Sequence, residues 1–401
     1  MSNSVISEID RSGLCLGCGL CEAVLGKENC TMQLRDDGFF HPQFKRLDKK
    51  SERVINEICP SINVRNEYEL KKDERIWGKI IQLYEGFSAD QEVRAKSSSG
   101  GVVSALAIYL LEHKKVDAVL HVGGDADDYQ QNKLRKSYDR EDVIRNNSSR
   151  YAPALMFSDI FEILNQSDEI FCFIGKPCDI AALKNFLRVY PTYQDRFKLT
   201  ISIVCAGMPS FNGTRKLISD FHPQVPIKNL SYRGNGWPGY FSFSDNSGKV
   251  YSKSYNDSWG KVLNRHLCFR CKICPEGIGL LADIAIGDAW ETKNGYPDFT
   301  EKEGNSLVIT RTAIGQQVVD ELINDEAIFC KSLPVEKLRL MQPFQYRRRK
   351  YAGMRIIAAM IAKQFLFRFH NLYIYRNLEF KSPKRLMKEF LGTFKRAIKM
   401  A

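Results

Sequence analysis

At 401 residues and 44% hydrophobic, the chain can bury a sizeable core and is too long for one simple core, which suggests two or three domains. No stretch reaches 18 uncharged apolar residues, which excludes a transmembrane helix, and the opening MSNSVISEIDRSG lacks the basic-then-apolar pattern of a signal peptide. The net charge of +12 is gathered in residues 347–401, where 15 Lys/Arg face two acids, so the basic character belongs to a tail and the rest is close to neutral.

Residues 1–60 hold Cys15, Cys18 and Cys21, then Cys30, then Cys59-Pro60. Residues 61–80 are charged and patternless and read as a connector. From Ile80 the chain turns α/β. KIIQLYEGFSA predicts a strand, and Ser97-Ser98-Ser99-Gly100-Gly101 opens a helix with Val102, Val103, Leu106, Tyr109 and Leu110 on one face. VDAVLHV (116–122) predicts a buried strand, and the polar stretch 124–150 a surface excursion. EIFCFIG (169–175) is a strand followed by a helix from Asp179 to about Tyr190. KLTISIVC (198–205), ADIAIGDAW (282–290) and NSLVITRT (305–312) are further strands. This alternation over 80–330 predicts a mostly parallel sheet.

The twelve cysteines, with no export signal, are expected in a reducing compartment, where clustered thiols read as metal ligands. Cys268, Cys271 and Cys274, followed by Pro275, have the two-residue gaps that curl thiolates around an iron–sulfur cubane. Zinc is the rival reading, but structural zinc sites come as two separated CxxC pairs. Cys205, at the end of a predicted strand, is the best fourth ligand. Cys15, Cys18 and Cys21 repeat the triplet. Cys59-Pro60 completes it in the ferredoxin manner, with Cys30 competing for the same place. Cys172 and Cys330 read as core thiols.

Three turns suit a flat or phosphorylated ligand. Ser97–Gly101 offers hydroxyls and backbone N–H groups at a helix start, although serines cap many helices with no ligand. Gly175-Lys176-Pro177-Cys178 is a sharp turn after a strand. Gly234-Asn235-Gly236-Trp237-Pro238-Gly239 is a glycine-dense loop. Each is equally an ordinary turn when taken alone. His121, His222 and His266 are proton donors by residue type only.

Taken in order, CLGCGLC, SSSGGVVSALAIYLLE, FIGKPCDIAAL, CAGMPS, YRGNGWPGYF, CFRCKICPEGIGLLADIAIGDAW and GNSLVITRT resemble the coenzyme F420 hydrogenase/dehydrogenase beta-subunit family. That family also includes 7-hydroxymethyl chlorophyll a reductase, and this sequence looks most like its bacterial members found among exopolysaccharide genes. The resemblance implies FAD and two 4Fe-4S clusters. It places the flavin against Ser97, Ser98, Ser99, Gly100 and Gly101 and against Gly175, Lys176, Pro177 and Cys178. Cys205, Cys268, Cys271 and Cys274 would hold the cluster beside the flavin. Cys15, Cys18, Cys21 and Cys59 would hold the other. Where the family usually has Gly-Thr-Pro-Cys this chain has Lys176, a candidate catalytic residue that would favour an anionic reduced ring or recruit an anionic substrate; this departure puts a deazaflavin partner in doubt. Asp283, Gly287, Asp288 and Trp290 match a further family segment.

The expected architecture is a ferredoxin-like iron–sulfur domain (1–75), a central mixed or parallel-sheet FAD and 4Fe-4S domain (76–340) and a basic amphipathic helical tail (341–401). The leading expectation is an oxidoreductase relaying electrons from a ferredoxin-like donor to FAD and on to a sugar or lipid-linked sugar in surface-glycan synthesis. The alternative is an electron-transfer subunit that reduces a partner enzyme. Leu386, Phe390, Leu391, Phe394 and Ile398, flanked by lysines, predict a helix lying on an anionic membrane; packing on the body is the plain rival. A cytoplasmic protein, peripheral at the inner face, follows, and no segment resembles a nucleic-acid module.

Overall fold

The apolar runs pair into one central sheet in the computed structural model, which describes residues 4–45, 47–124, 128–380 and 382–399. Its strands are β1 (Gln82–Ser88), β2 (Ala118–Gly123), β3 (Lys133–Ser137), β4 (Phe171–Gly175), β5 (Phe197–Ile203), β6 (Ile284–Asp288), β7 (Ser306–Thr310) and β8 (Ile328–Ser332). Their spatial order is β8-β1-β7-β6-β5-β4-β2-β3. Strands β1, β6, β5, β4 and β2 run one way, and β8, β7 and β3 run against them. The sheet is therefore mixed with a parallel majority. The expected strands form, and β3 and β8 are additions.

Successive side chains alternate between the two faces, as the pleat requires. Val119, Cys172, Ile174, Leu199, Ile201 and Val308 meet α1 (Val102–Glu112) and α3 (Ala313–Asn324) on one side. Leu120, Phe171 and Phe173 meet α2 (Pro177–Val189) on the other, together with Ile6, Leu20, Ile55 and Ile58. Further along that face Leu83, Ala285, Leu307 and Ile309 join Trp77, Ile356 and Leu372. Residues from both ends of the chain thus complete the cores of the central sheet.

Three local expectations change. Helix α1 is buried nearly all round rather than on one face, because the sheet, α3 and the Arg140–Arg145 helix enclose it. The stretch 124–150 is no simple excursion, since it carries β3 and that helix; residues 125–127 within it lie outside the described residues. The connector 61–80 is a packed strap: Asn63–Arg65 pairs in parallel with Arg368–His370, and Trp77 is buried.

In the tail, α4 (Pro343–Lys363) and α5 (Pro383–Lys399) pack against each other and the body. Leu386, Thr393 and Ala397 turn inward, whereas Met387, Leu391 and Ile398 are more than half exposed. The expected apolar face of α5 is therefore split between body and solvent. Lys381, Met400 and Ala401 lie outside the described residues. No described helix is long and apolar enough to cross a membrane.

The N-terminal segment carries one clear titration. His41, in the Phe40–Phe44 strand, sits between Asp10 and Asp37, with Nε2 2.9 Å from the Asp37 carboxylate and Nδ1 on Asp10. Burial works against its charge, but both acids outweigh it and the pKa is raised. Burial pushes Asp10 up, yet His41 and Arg35 leave it lowered. A raised histidine stabilises fully below its unfolded value near 6.5 and loses that as pH climbs through the folded value; a lowered aspartate stabilises above about 4 and loses that on acidification. Amide-exchange protection of residues 5–45 is expected to peak near pH 5–6 and fall by pH 8, and His41→Asn is expected to flatten that profile.

Candidate functional site

Because β1, β2, β4, β5 and β6 share a direction, their carboxyl ends lie along one edge, where open α/β sheets bind ligands. The edge collects Ser97–Gly101 after β1, Gly175–Cys178 at β4, Cys205 after β5 and Asp288 at β6. Cavities of about 480 and 500 Å³ open at the opposite, amino edge, one beside Phe197 and the other beside Ile81 and Ala313. Neither contains a thiol, so they stand apart from this chemistry.

The serine turn is wired into the fold. Ser97 Oγ donates to the Val93 carbonyl at 2.6 Å, Ser98 Oγ to Arg233 at 3.3 Å and Ser99 Oγ to Asn305 at 3.0 Å. The hydroxyls are thus engaged, and α1 follows Gly101, which as N-cap supplies no side-chain cap, leaving the first N–H groups of the helix facing the edge. A Cβ on Gly100 would stand 2.6 Å from the Gly86 carbonyl, so only glycine allows this close approach.

At the second turn Lys176 caps α2. Its Nζ lies 2.7 Å from Asp179 Oδ2, which also accepts the Lys176 backbone N–H at 2.9 Å. Burial opposes the Lys176 charge, but Asp179 and the thiols of Cys178 and Cys205 hold it firmly protonated. It is an anchored cation at the edge. Cys178 packs with Cys268 and Cys271 and joins this turn to the thiols.

The loop after Arg233 closes over the end of β6. Arg233 is 3% exposed and grips Asp288 with both terminal nitrogens at 2.9 and 2.7 Å. Trp237 Nε1 adds a bond of 2.8 Å to the same carboxylate, and its ring stacks on Trp290 at 4.7 Å. Asp283, by contrast, binds Thr200 and Thr312 at the amino end of β6 and is structural. His121 is tied to Ser137 at 2.7 Å and pulled down to about 4 by burial, which makes it a core histidine. His222 occupies a left-handed turn position, and His266 backs Gly213.

Eight candidate ligand thiols form two neighbouring groups. Burial lifts Cys15, Cys18 and Cys59 above the ordinary thiol range, and the charges of the other triplet thiols push each further. The charge of Cys59 raises Cys15 and Cys18 and that of Cys21 raises Cys59, whereas Cys30 lies against Cys21, with 3.9 Å between their sulfurs. Gly19 fits only as glycine: its φ is +83°, and a Cβ would strike Ser158. In the second group Cys271 touches Cys268, which lowers the Cys268 pKa. Burial pushes Cys205 up to about 12, with Cys271 and Cys274 adding to the rise and Arg348 and Lys176 opposing it.

The two groups interlock. Cys268 Sγ is 3.5 Å from the Cys15 carbonyl. Phe269 and Ile273 pack with Cys15 and Cys59, and buried Arg270 donates from Nε to the Ser61 carbonyl at 2.5 Å. Sequence reasoning missed the role of α4. Gln345 Nε2 and Arg348 Nη1 each donate to the Cys205 carbonyl at 2.9 Å, and Arg349 binds the carbonyl of Pro275, next to Cys274. Only the arginine run Arg347–Arg349 in a weakly patterned helix hinted at it.

Among the described residues, no three His, Cys, Asp or Glu side chains are gathered tightly enough to hold a single metal ion. Burial and mutual repulsion favour the protonated thiols here, so only a bound cation would hold them as thiolates, and the all-sulfur donor set suits an iron–sulfur core. Cys59→Ala is expected to remove about four iron atoms per chain from anaerobically reconstituted protein, and Cys30→Ala none, read by iron and sulfide assay. Equal loss in both variants would reopen the choice.

Fold and site together define a mixed-sheet α/β protein whose carboxyl edge gathers the serine turn, the Lys176 turn and two neighbouring groups of thiols. Residues 83–161 match the N-terminal part and residues 168–335 the C-terminal part of the family described as coenzyme F420 hydrogenase/dehydrogenase, beta subunit. Those stretches make up 247 of 401 residues, and the chain belongs to that family. Cys205, Cys268, Cys271 and Cys274 fall inside the matched region, and the first thiol group precedes it.

Over 367 residues the chain is 22% identical to the coenzyme F420-dependent sulfite reductase of Methanocaldococcus jannaschii, covering 86% of this chain and about half (51%) of that protein. It is 23% identical to the coenzyme F420 hydrogenase subunit beta of Methanosarcina barkeri, covering 65% of this chain and 84% of that subunit. A chain in the solved F420-reducing [NiFe] hydrogenase complex of Methanosarcina barkeri shares the fold, with a TM-score of 0.53 at 22% identity over 71% of this chain and 91% of that one.

Proposed function

We propose that this chain is an electron-transfer subunit that passes electrons between a ferredoxin-like donor and a partner oxidoreductase. The observation carrying this reading is the shared wall between the thiol groups, where Cys268 Sγ lies 3.5 Å from the Cys15 carbonyl. Cys15, Cys18, Cys21 and Cys59 would hold one 4Fe-4S cluster, and Cys205, Cys268, Cys271 and Cys274 the other. FAD would lie along Ser97–Gly101 and Gly175–Cys178. The clusters would supply one-electron storage and the flavin an exchange between one- and two-electron chemistry. Phe269, Ile273 and Leu16 exclude water from the wall, Arg270 ties the two loops, and Lys176 keeps a fixed positive charge at the edge.

The names of the relatives, all redox subunits or enzymes, support electron transfer better than the surface-glycan oxidoreductase expected from the sequence. A sugar substrate has no support in them. The three-part division at 75 and 340 stays a proposal, and so does an anionic surface, membrane or protein, against Met387, Leu391 and Ile398 with their flanking lysines.

The test is anaerobic titration of the reconstituted full chain. Reduced ferredoxin is expected to bleach its visible absorbance, and nucleotide-sugars are expected to show no turnover. Turnover of a sugar by the isolated chain would sink this reading in favour of an enzyme with its own substrate.

A further inference from the structure

Two arginines lie beside the serine turn, Arg233 buried and Arg150 partly buried, and among the described residues only Arg233 has a counter-charge. Arg233 is neutralised by Asp288 and also donates from Nε to the Pro238 carbonyl at 2.6 Å. Arg150 is the other. Its neighbour Ser149 donates its backbone N–H to Ser98 Oγ at 2.7 Å, and Asn147 Nδ2 donates to Ser97 Oγ at 3.2 Å, so the segment 147–150 is laced to the turn. The guanidinium lies against Gly124, just past the carboxyl end of β2: a Cβ there would stand 2.7 Å from Nη1 and 2.9 Å from Cζ. Arg150 Nε is buried with no hydrogen-bond partner, and so is Asn132 Oδ1, 3.1 Å from the same Gly124 position. No carboxylate among the described residues pairs with Arg150.

A partly buried cation without an anion is costly, and proteins keep one where a ligand supplies the missing charge. The fork of a guanidinium matches two oxygens of a phosphate, which a lysine cannot do. Burial pulls the Arg150 pKa down, whereas Asp288 raises that of Arg233 against the same desolvation. We propose that Arg150 is the phosphate anchor of the ligand bound at the carboxyl edge, with Asn132 Oδ1 beside it as acceptor for a ligand hydroxyl or amide. The phosphate is either the pyrophosphate of the dinucleotide or that of a second, diffusible ligand. The inference rests on the reading of this edge as the ligand site.

The test uses the full chain and its Arg150→Gln and Arg150→Lys variants, with FAD, riboflavin and inorganic pyrophosphate as probes, by calorimetry and thermal melting. In the first supporting outcome, Arg150→Gln binds FAD about tenfold to a hundredfold more weakly with riboflavin unchanged, which assigns the anchor to the dinucleotide. In the second, both flavins are unaffected and pyrophosphate binding is lost, which assigns it to a diffusible ligand. Arg150→Lys, which keeps the charge but not the fork, falls between. A wild-type chain that binds pyrophosphate but no flavin would end the flavin reading and leave the anchor standing. Because no described residue pairs with Arg150, ligand-free Arg150→Gln is expected to melt no lower than wild type. A lower melt or failure to fold would show a structural role and overturn the proposal. Unchanged binding of all three probes, or wild-type protein that binds neither FAD nor pyrophosphate, would overturn it too.

Discussion

Arg349→Ala is expected to cost roughly 3–5 kcal/mol of folding stability, the range for removing one member of a buried charged network. Arg349 has no exposed surface, and it donates to the carbonyls of Ile76, Arg75, Leu372 and Pro275. Burial pushes it down to about 10, and Glu276 is its partial counter-charge. Glu276 in turn accepts from the backbone N–H of Ile278 and Leu280 at 3.0 and 2.9 Å. Alanine would strand four enclosed carbonyls and leave a cavity, each unfavourable by itself. Arg347, two residues earlier and exposed, is the control: Arg347→Ala is expected to stay within about 0.5 kcal/mol of wild type. Equilibrium urea denaturation measures both. An Arg349→Ala protein within about 1 kcal/mol of wild type would show that the tail is not integral to the body. It follows that membrane attachment of α5 is better tested by Leu391→Glu in the full chain than by cutting at 346, which would remove Arg349.

Cys205→Ala is expected to halve the iron of reconstituted protein, from about eight to about four atoms per chain, and to abolish electron uptake through the second site. Cys205 comes from the end of β5, far in sequence from the Cys268 triplet, yet it shares charge with Cys271 and Cys274. The first thiol group keeps its four sulfurs, so its iron should persist. Cys172→Ala separates ligand loss from general damage. Cys172 is fully buried in β4 among aliphatic neighbours, and its loss should leave iron unchanged. Iron, sulfide and visible absorbance, measured without oxygen, decide the matter. Full iron retention in Cys205→Ala would remove this residue from the ligand set and return the search to Cys178, which packs against Cys268 and Cys271.

Much of this arrangement was legible from local signals. Runs such as FCFIG and SLVIT declared buried strands, and the cysteine triplets declared their grouping, because apolar runs and ligand spacing act over a few residues. The Cys-Pro at 59 marked a thiol that the fold brings beside the first triplet, where its charge raises Cys15 and Cys18. Long-range pairings were not legible. Nothing near Arg349 announces carbonyls 273 and 274 residues earlier in the chain, and Asn63–Arg65 reads as linker until Arg368–His370 lies beside it. For α5 the hydrophobic period was visible, but which part of it turns inward depends on α4, which sequence alone leaves unplaced. Arg150 was hidden for a related reason: an arginine in a polar stretch looks solvated until the fold lays it against Gly124 beside the serine turn.

The hold of α4 on the Cys205 loop bears on how the protein is made. Gln345 and Arg348 leave the ribosome some 140 residues after the cysteine whose carbonyl they fix. A nascent chain stalled before them would display the second set of sulfurs without the brace that aims it. If the two sets hold clusters as proposed, filling of the second would await synthesis of residue 348, and the first, though its cysteines are all made by residue 59, would gain its wall only with Phe269 and Ile273.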